Sequence, residues 1–406
     1  MSTVERPPAP LLTQEPEPPA RERFMKAFAE GDLGVLRVLM MLAVIWFIFQ
    51  VQEPRFLSSG NLTNLLLQIT SIGLISVGIV LVLLLGEIDL SVGAVSGLAA
   101  GVMAVLTVRH GWAPVPAIGA ALTVGAAIGL FNGLMVTKFG IPSFVVTLAG
   151  QLAWAGGLLY VLGSTGTVNL PPGTITDLAG TFYGAGVGWA IVVLAVSVNV
   201  ALAVRRTRRR VTAGLEAAGL ARVAAGSVGL GLGLGVAVLI FNDDRGVPLA
   251  VLILVGFVTF FSWLTQETRF GRRLYATGGN IEAARRAGIG VDRLRVTVFV
   301  LASTMAAAGG VMAASRLQAV NQSSGGSDLV LLSIAGPVIA GVSLFGGRGR
   351  VSAALLGALV IGSISNGMDL LALTSSVKYM ITGAVLVVAV TIDALARRKR
   401  QAAGRR

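Results

Sequence analysis

The chain has 406 residues, of which 54% are hydrophobic and only 13% charged; a soluble domain carries about 25% charge, so this chain cannot cover a water-facing surface and a bilayer is its natural solvent. It has no cysteine and a single histidine, His110, which excludes disulfides, thiolate chemistry and zinc sites built from several histidines. The formal charge of +13 would mark a nucleic-acid binder in a soluble protein; here the basic residues are weighed first against membrane topology.

Residues 1–34 are polar and rich in Pro, Glu and Arg, without an apolar run, and are expected to be a disordered cytoplasmic tail. This is not the pattern of a signal peptide, because a long polar stretch precedes the first apolar run and no small-residue cleavage site follows it. About twelve apolar runs then follow, near 35–51, 65–86, 91–108, 115–137, 144–163, 187–204, 223–242, 247–264, 295–315, 329–345, 351–372 and 376–395. A span needs about 20 apolar residues, and helices are the form that satisfies the backbone in lipid. The expected fold is all-α, a polytopic transmembrane helical bundle of about 10–12 spanning or re-entrant helices over residues 35–395, closed by a basic cytoplasmic tail over 396–406.

With the N-terminus in the cytoplasm and sides alternating, only Arg55, Arg109, Arg245, Arg316 and Lys378 of the 32 basic residues fall outside. The clusters at Arg205–Arg210, Arg269–Arg293 and Arg397–Arg400 all fall inside. The positive-inside rule predicts this asymmetry, places both termini in the cytoplasm and removes any need for a nucleic-acid role. Glycines recur at four-residue spacing in Gly93/Gly97/Gly101, Gly125/Gly129/Gly133 and Gly231/Gly235, a spacing that lets helix backbones approach closely in lipid.

Four segments are candidates for function. Gly86-Glu87-Ile88-Asp89-Leu90-Ser91-Val92-Gly93 sets two acids between long apolar runs. Two readings stand for it: Asp89 or Ser91 caps the next helix, or the acids belong to a transport path. The segment 265–295 is hydrophilic; Gly278-Gly279-Asn280 reads as a turn, and Asn280 followed by Glu282, Ala283, Ala284 and Arg285 reads as a short helix that Gly288 stops. Gly341-Val342-Ser343-Leu344-Phe345-Gly346-Gly347-Arg348-Gly349-Arg350 is a glycine-rich basic turn. Polar residues inside apolar runs, Asn132, Gln151, Asn366 and Asp369, are either pathway groups or helix–helix hydrogen bonds. No GxxxxGK[ST] loop, HExxH or GxSxG occurs, so nothing points to nucleotide hydrolysis in this chain, to a metal site or to a catalytic residue.

The first three of these segments together resemble the signatures of the ribose/xylose/arabinose-type permeases of ATP-binding-cassette importers. Thr268-Arg269-Phe270-Gly271-Arg272, with Tyr275 to Asn280 and Ala283-Ala284, is similar to that family's coupling loop. The resemblance implies an inner-membrane permease of a bacterium, working as a homodimer with a cytoplasmic ATP-binding subunit and a periplasmic or extracytoplasmic sugar-binding protein. It implies no cofactor in this chain, since ATP and Mg would be bound by the partner, and a coupling loop of Gly279, Asn280, Glu282, Ala283, Ala284, Arg285 and Gly288. Glu87, Asp89 and Ser91 carry the first signature, where the family usually has glycine in place of Glu87. The region 187–240 is longer than in ribose-type permeases, so the xylose-type are the better match and a pentose the expected cargo. The alternative is a secondary transporter driven by an ion gradient, for which Glu87 and Asp89 are the only candidate relay groups.

Overall fold

The computed structural model describes residues 34–214, 220–384, 387 and 391; the N-terminal tail through residue 33, the basic tail from 396 and part of the twelfth apolar run lie outside them. The described residues are almost wholly helical, with four strands of two or three residues each. Among the described residues, nine helices are long and apolar enough to cross a membrane. They are α1 (Gly34–Gln52), α2 (Ser59–Leu85), α4 (Pro114–Lys138), α5 (Ser143–Leu162), α7 (Ala185–Thr212), α8 (Leu220–Asp244), α9 (Leu249–Glu267), α12 (Val291–Leu317) and α14 (Ser352–Leu370). The expected multi-pass helical bundle is what the chain forms.

Two apolar runs make shorter helices instead: α3 (Val92–Val108) and α13 (Ser327–Ile339). The reason is local. Glu87–Ser91 is non-helical and buried before α3, except for Ile88 and partly exposed Leu90, and the run 322–326 before α13 contains Gly325, with φ +76°, and Gly326. Both breaks lie within the depth of the bundle. Ser96 on α3 abuts Gly310 of α12, while Gly309 abuts Ser71 and Ile75 of α2. Ser324–Gly326 lie against Gly93 and Gly97. Two half-helices thus begin side by side inside the protein, α3 running toward one face and α13 toward the other.

The centre of the bundle is α2, apolar all round and buried continuously from Ile72 to Leu85, as a helix without a polar face must be. It packs against α12, α14, α9 and α13, and α12 packs in turn against α4 and α3. The glycine spacing accounts for the α4–α12 seam. A Cβ on Gly125, Gly129 or Gly133 would stand 2.6 Å from Ser303 O, 2.4 Å from Phe299 O and 2.8 Å from Val296 Cα respectively. Gly129→Ala is therefore expected to force the helices apart at a cost of about 1–3 kcal/mol, read as a lower melting temperature in detergent. An unchanged melting temperature would show that the seam has slack.

One end of the bundle is tied by two small antiparallel pairs. β1 (Thr167–Asn169) pairs with β4 (Ala319–Asn321), and β2 (Phe182–Tyr183) with β3 (Val247–Pro248). A short helix, α6 (Thr174–Gly180), lies between β1 and β2, its Ala179 N donating to Ser315 Oγ at 2.9 Å. α7 and α8 form a separate hairpin with their own apolar cluster around Val192, Val238, Phe241 and Val247. At the opposite end from the strands, α7 carries the arginine cluster, and Arg206 pairs with Glu267 at the end of α9 at 2.7 Å. There the chain turns into two amphipathic helices, α10 (Arg269–Gly279) and α11 (Ile281–Arg286).

Candidate functional site

Three loops far apart in sequence meet at the arginine-bearing end, and they are the three segments singled out above. α2 stops at Gly86, whose φ of +84° only glycine adopts freely. The backbone N–H of Gly347 donates to Leu84 O at 2.9 Å. A Cβ on Gly278 would stand 1.8 Å from Leu84 O and 2.7 Å from Gly347 N, and one on Gly346 would stand 2.6 Å from Gly278 O and 2.9 Å from Gly86 Cα. The contact is main chain against main chain. Tyr275 adds one side-chain tie, its hydroxyl donating to Gly349 O at 2.8 Å, and burial pushes that phenol above its ordinary range.

The residues predicted for the coupling loop sit together beside this junction. Gly278 and Gly279 do not form the expected turn; they complete the last turn of α10, where Gly278 supplies close packing rather than positive φ and a Cβ on Gly279 would meet nothing. Asn280 is the N-cap of α11, with Oδ1 accepting from Ala283 N at 2.9 Å. Arg285 pairs with Glu282 at 3.1 Å along the same face, and Gly288, at φ +76°, ends the helix. Ala284 is buried toward the bundle, whereas Glu282, Ala283, Arg285 and Arg286 are exposed. A cleft of about 770 Å³ opens between α10, α11 and the first turn of α12, lined by Phe270, Arg273, Arg285 and Arg293 among others.

Glu87 leaves the same turn and pairs with Arg295 of α12. Both side chains are mostly buried, 10% and 18% exposed, so the acid is matched by a base that hydropathy alone had assigned to a span. Asp89 is buried, and its Oδ1 accepts from Ser91 N at 2.8 Å and Ser91 Oγ at 2.7 Å. Asn132 Nδ2 donates to the same Ser91 hydroxyl at 3.2 Å. Ser91 occupies the N-cap position of α3 but its side chain makes no cap bond; the hydroxyl is committed to Asp89, so the side-chain cap expected from the sequence does not form. Asp89 Oδ2 and Asn132 Oδ1 have no partner among the described residues.

The other predicted pathway residues go elsewhere. Asn366 exchanges two hydrogen bonds with Asn61, at 2.8 and 3.1 Å, which clasps α14 to α2. Gln151 is half-buried on α5, and it makes no hydrogen bond among the described residues. Neither is in the wall of the two spaces described next.

A polar cavity does exist, on the strand-bearing side of the two half-helix starts. It measures about 390 Å³ and is walled by Gln68, Ser96, Arg316, Asn321, Ser324 and Asp328 with small and apolar neighbours. A second space of about 350 Å³ adjoins it, sharing Asp328, Leu332 and Ser365 and containing Asp369, Lys378 and Tyr379. Asp369 and Lys378 form an ion pair there. Asp369, one of the polar residues singled out in the sequence, thus lies in the adjoining space, whereas the wall of the first was missed because its members come from several helices and loops, each unremarkable in its own run. Among the described residues no group of three or more His, Asp or Glu residues is placed to hold a metal ion.

Comparison with known proteins bears on all of this. The family model described as branched-chain amino acid transport system / permease component matches residues 61–390. The chain is 37% identical over 363 residues to the xylose transport system permease protein XylH of Escherichia coli K12, covering 89% of this chain and 92% of that one. It is 30% identical over 375 residues to the ribose import permease protein RbsC of the same organism, covering 92% and 96%. It is also 30% identical over 366 residues to the L-arabinose ABC transporter permease protein AraH of Azospirillum brasilense, covering 90% and 89%. No solved structure matches.

Proposed function

The chain belongs to the family of branched-chain amino acid transport system permease components, is a multi-pass inner-membrane protein, and we propose that it translocates a sugar, a pentose such as xylose, as the membrane subunit of an ATP-binding-cassette importer. Its relatives are named for xylose, ribose and arabinose, which supports a sugar as cargo. The xylose-type relative at 37% identity supports a pentose. A separate cytoplasmic ATPase supplies the energy, an extracytoplasmic binding protein delivers the sugar, and a second copy of the chain completes the bundle.

The observation that carries the coupling role is the junction of main chain at Gly86, Gly278 and Gly346–Gly347. α11 stands exposed beside it and is joined by the turn 287–290 to α12, the helix that packs on α2, α3 and α4. A push on α11 and α10 therefore reaches the non-helical segment before α3 and the turn after α13 through main-chain contacts. Both termini lie in the cytoplasm in this reading. The positive-inside bias supports that side for α10 and α11, and the strand pairs then face outward.

Two measurements test the reading. Gentle extraction of the tagged chain from its native membrane is expected to recover an ATPase subunit in comparable amount; a chain that purifies alone from membranes with active transport is instead a gradient-driven carrier. On the complex, Glu282→Arg with Ala283→Trp is expected to abolish substrate-stimulated ATP hydrolysis while expression persists, because both side chains are exposed and only the docking face changes. Stimulation that survives this double change removes α11 from the docking role.

A further inference from the structure

The cavity beside the two half-helix starts has a chemistry of its own. Arg316 and Asp328 stand in its wall, and Asp369 and Lys378 in the space that joins it. Two acids and two bases leave the combined space with no net charge, so neither an anion nor a cation is favoured. Arg316 and Asp328 make no hydrogen bond among the described residues. Asn321 uses its Oδ1 to accept from Ser323 N at 3.0 Å and Ser323 Oγ at 3.1 Å, which leaves its amide N–H groups free. Unpaired donors and acceptors on planar side chains recognise a ligand that offers both kinds of group on adjacent atoms. Neutral vicinal hydroxyls do so; an amino-acid zwitterion could pair with the same Arg and Asp, and the relatives named for xylose, ribose and arabinose favour the hydroxyls.

Size agrees. A pentose has about ten heavy atoms, and even at a water's liquid share of ~30 Å³ for each it needs roughly 300 Å³. The cavity offers about 390 Å³. The floor is held by main chain: a Cβ on Gly325 would meet Gly93 O at 2.2 Å, and one on Gly97 would meet Ser324 O at 2.1 Å. The turn that presents Asn321 and Ser324 is thus locked to α3 and keeps its groups in place.

We propose that this cavity, walled by Gln68, Ser96, Arg316, Asn321, Ser324 and Asp328, is a low-affinity binding site for a neutral monosaccharide inside the permease. It rests on the importer reading, and it adds that the membrane subunit itself selects among sugars after delivery. A conduit without such a site would leave selection to the binding protein alone.

The chain has no cysteine, so a single introduced thiol reports on the cavity without background from this subunit. Ser365 lines both spaces and makes no hydrogen bond among the described residues. In right-side-out membranes holding the full transporter, Ser365→Cys would be labelled with a membrane-impermeant maleimide. D-xylose, D-ribose and L-arabinose would be added one at a time. The transported sugar is expected to slow labelling about five-fold at ~4 times its dissociation constant, as mass action requires. It should leave an Ala113→Cys control on the exposed loop before α4 unchanged. Arg316→Gln or Asp328→Asn in the Ser365→Cys background is expected to remove the protection. Absence of protection up to ~100 mM sugar, weaker than any millimolar site, in membranes that do take up sugar with ATP, overturns the site and leaves the importer reading standing. Membranes that take up none of the sugars overturn the importer reading itself.

Discussion

Removing either member of the Glu87–Arg295 pair is expected to destabilise the protein by about 3–5 kcal/mol, because the survivor is left as an uncompensated buried charge. Glu87 lies in the non-helical segment between α2 and α3, and Arg295 in the first turns of α12. The two are the tie between the α2–α3 turn and the helix that follows α10 and α11. Glu87→Gln and Arg295→Gln should each lower the melting temperature of the purified chain and its yield from the membrane. The combination Glu87→Gln with Arg295→Met should recover much of that loss, since two neutral side chains leave no orphan charge. The discriminating quantity is the interaction energy of the cycle. Additive losses would mean that each residue has other partners and that the pair is incidental. Glu87→Gly tests whether Arg295 tolerates solitude here.

The second large effect is expected at Gly278. Any side chain there would overlap Leu84 O, with even a Cβ at 1.8 Å, and would crowd Gly347 N. Gly278→Ala must therefore part α10 from the end of α2 and break the Gly347 N–H to Leu84 O bond. Overpacking of this kind costs about 3 kcal/mol or more where backbone rather than side chain must yield. The functional signature should exceed the stability loss. ATP hydrolysis by the complex should persist at its basal rate while stimulation by loaded binding protein disappears. Ala276→Gly on the same helix serves as a control for helix propensity, which accounts for about 1 kcal/mol. Stimulated hydrolysis that is as strong with Gly278→Ala as in the unaltered protein would show that the junction does not transmit.

Much of the architecture was legible in the residues. Hydropathy marks the long helices because burial in lipid demands unbroken apolar length. The Gly125/Gly129/Gly133 triad marks the α4–α12 seam because only missing side chains permit that approach. Asn280 and Gly288 bound α11 through the local capping rules. The start of α3 was legible from the two acids between the runs 65–86 and 91–108, whereas α13 was blurred, since the run 329–345 stays apolar past the helix end at Ile339 and a hydropathy window cannot tell the two apart. Glu87 was visible as an anomaly, but its partner Arg295 lies more than two hundred residues away and inside a run counted as a span. Asn366 was visible as a buried amide, yet only the fold reveals that Asn61 satisfies it. The cavity wall was the least legible part. Arg316 counted only among the few outer basic residues and Asn321 falls between two apolar runs, and nothing local says that they face one space.

The bare backbone of the junction has a mechanical consequence. Side chains at an interface absorb displacement by changing rotamer, each adjustment dissipating part of the motion. Gly86, Gly278, Gly346 and Gly347 have no rotamers to change, and their peptide planes resist bending. A shift of α10 and α11 is passed on to the ends of α2 and α13 as it would be by rigid links meeting at a bearing, with little play. The stroke that arrives at the core is then set by the size of the movement at the surface, and the same absence of slack makes the bearing intolerant of a single methyl group.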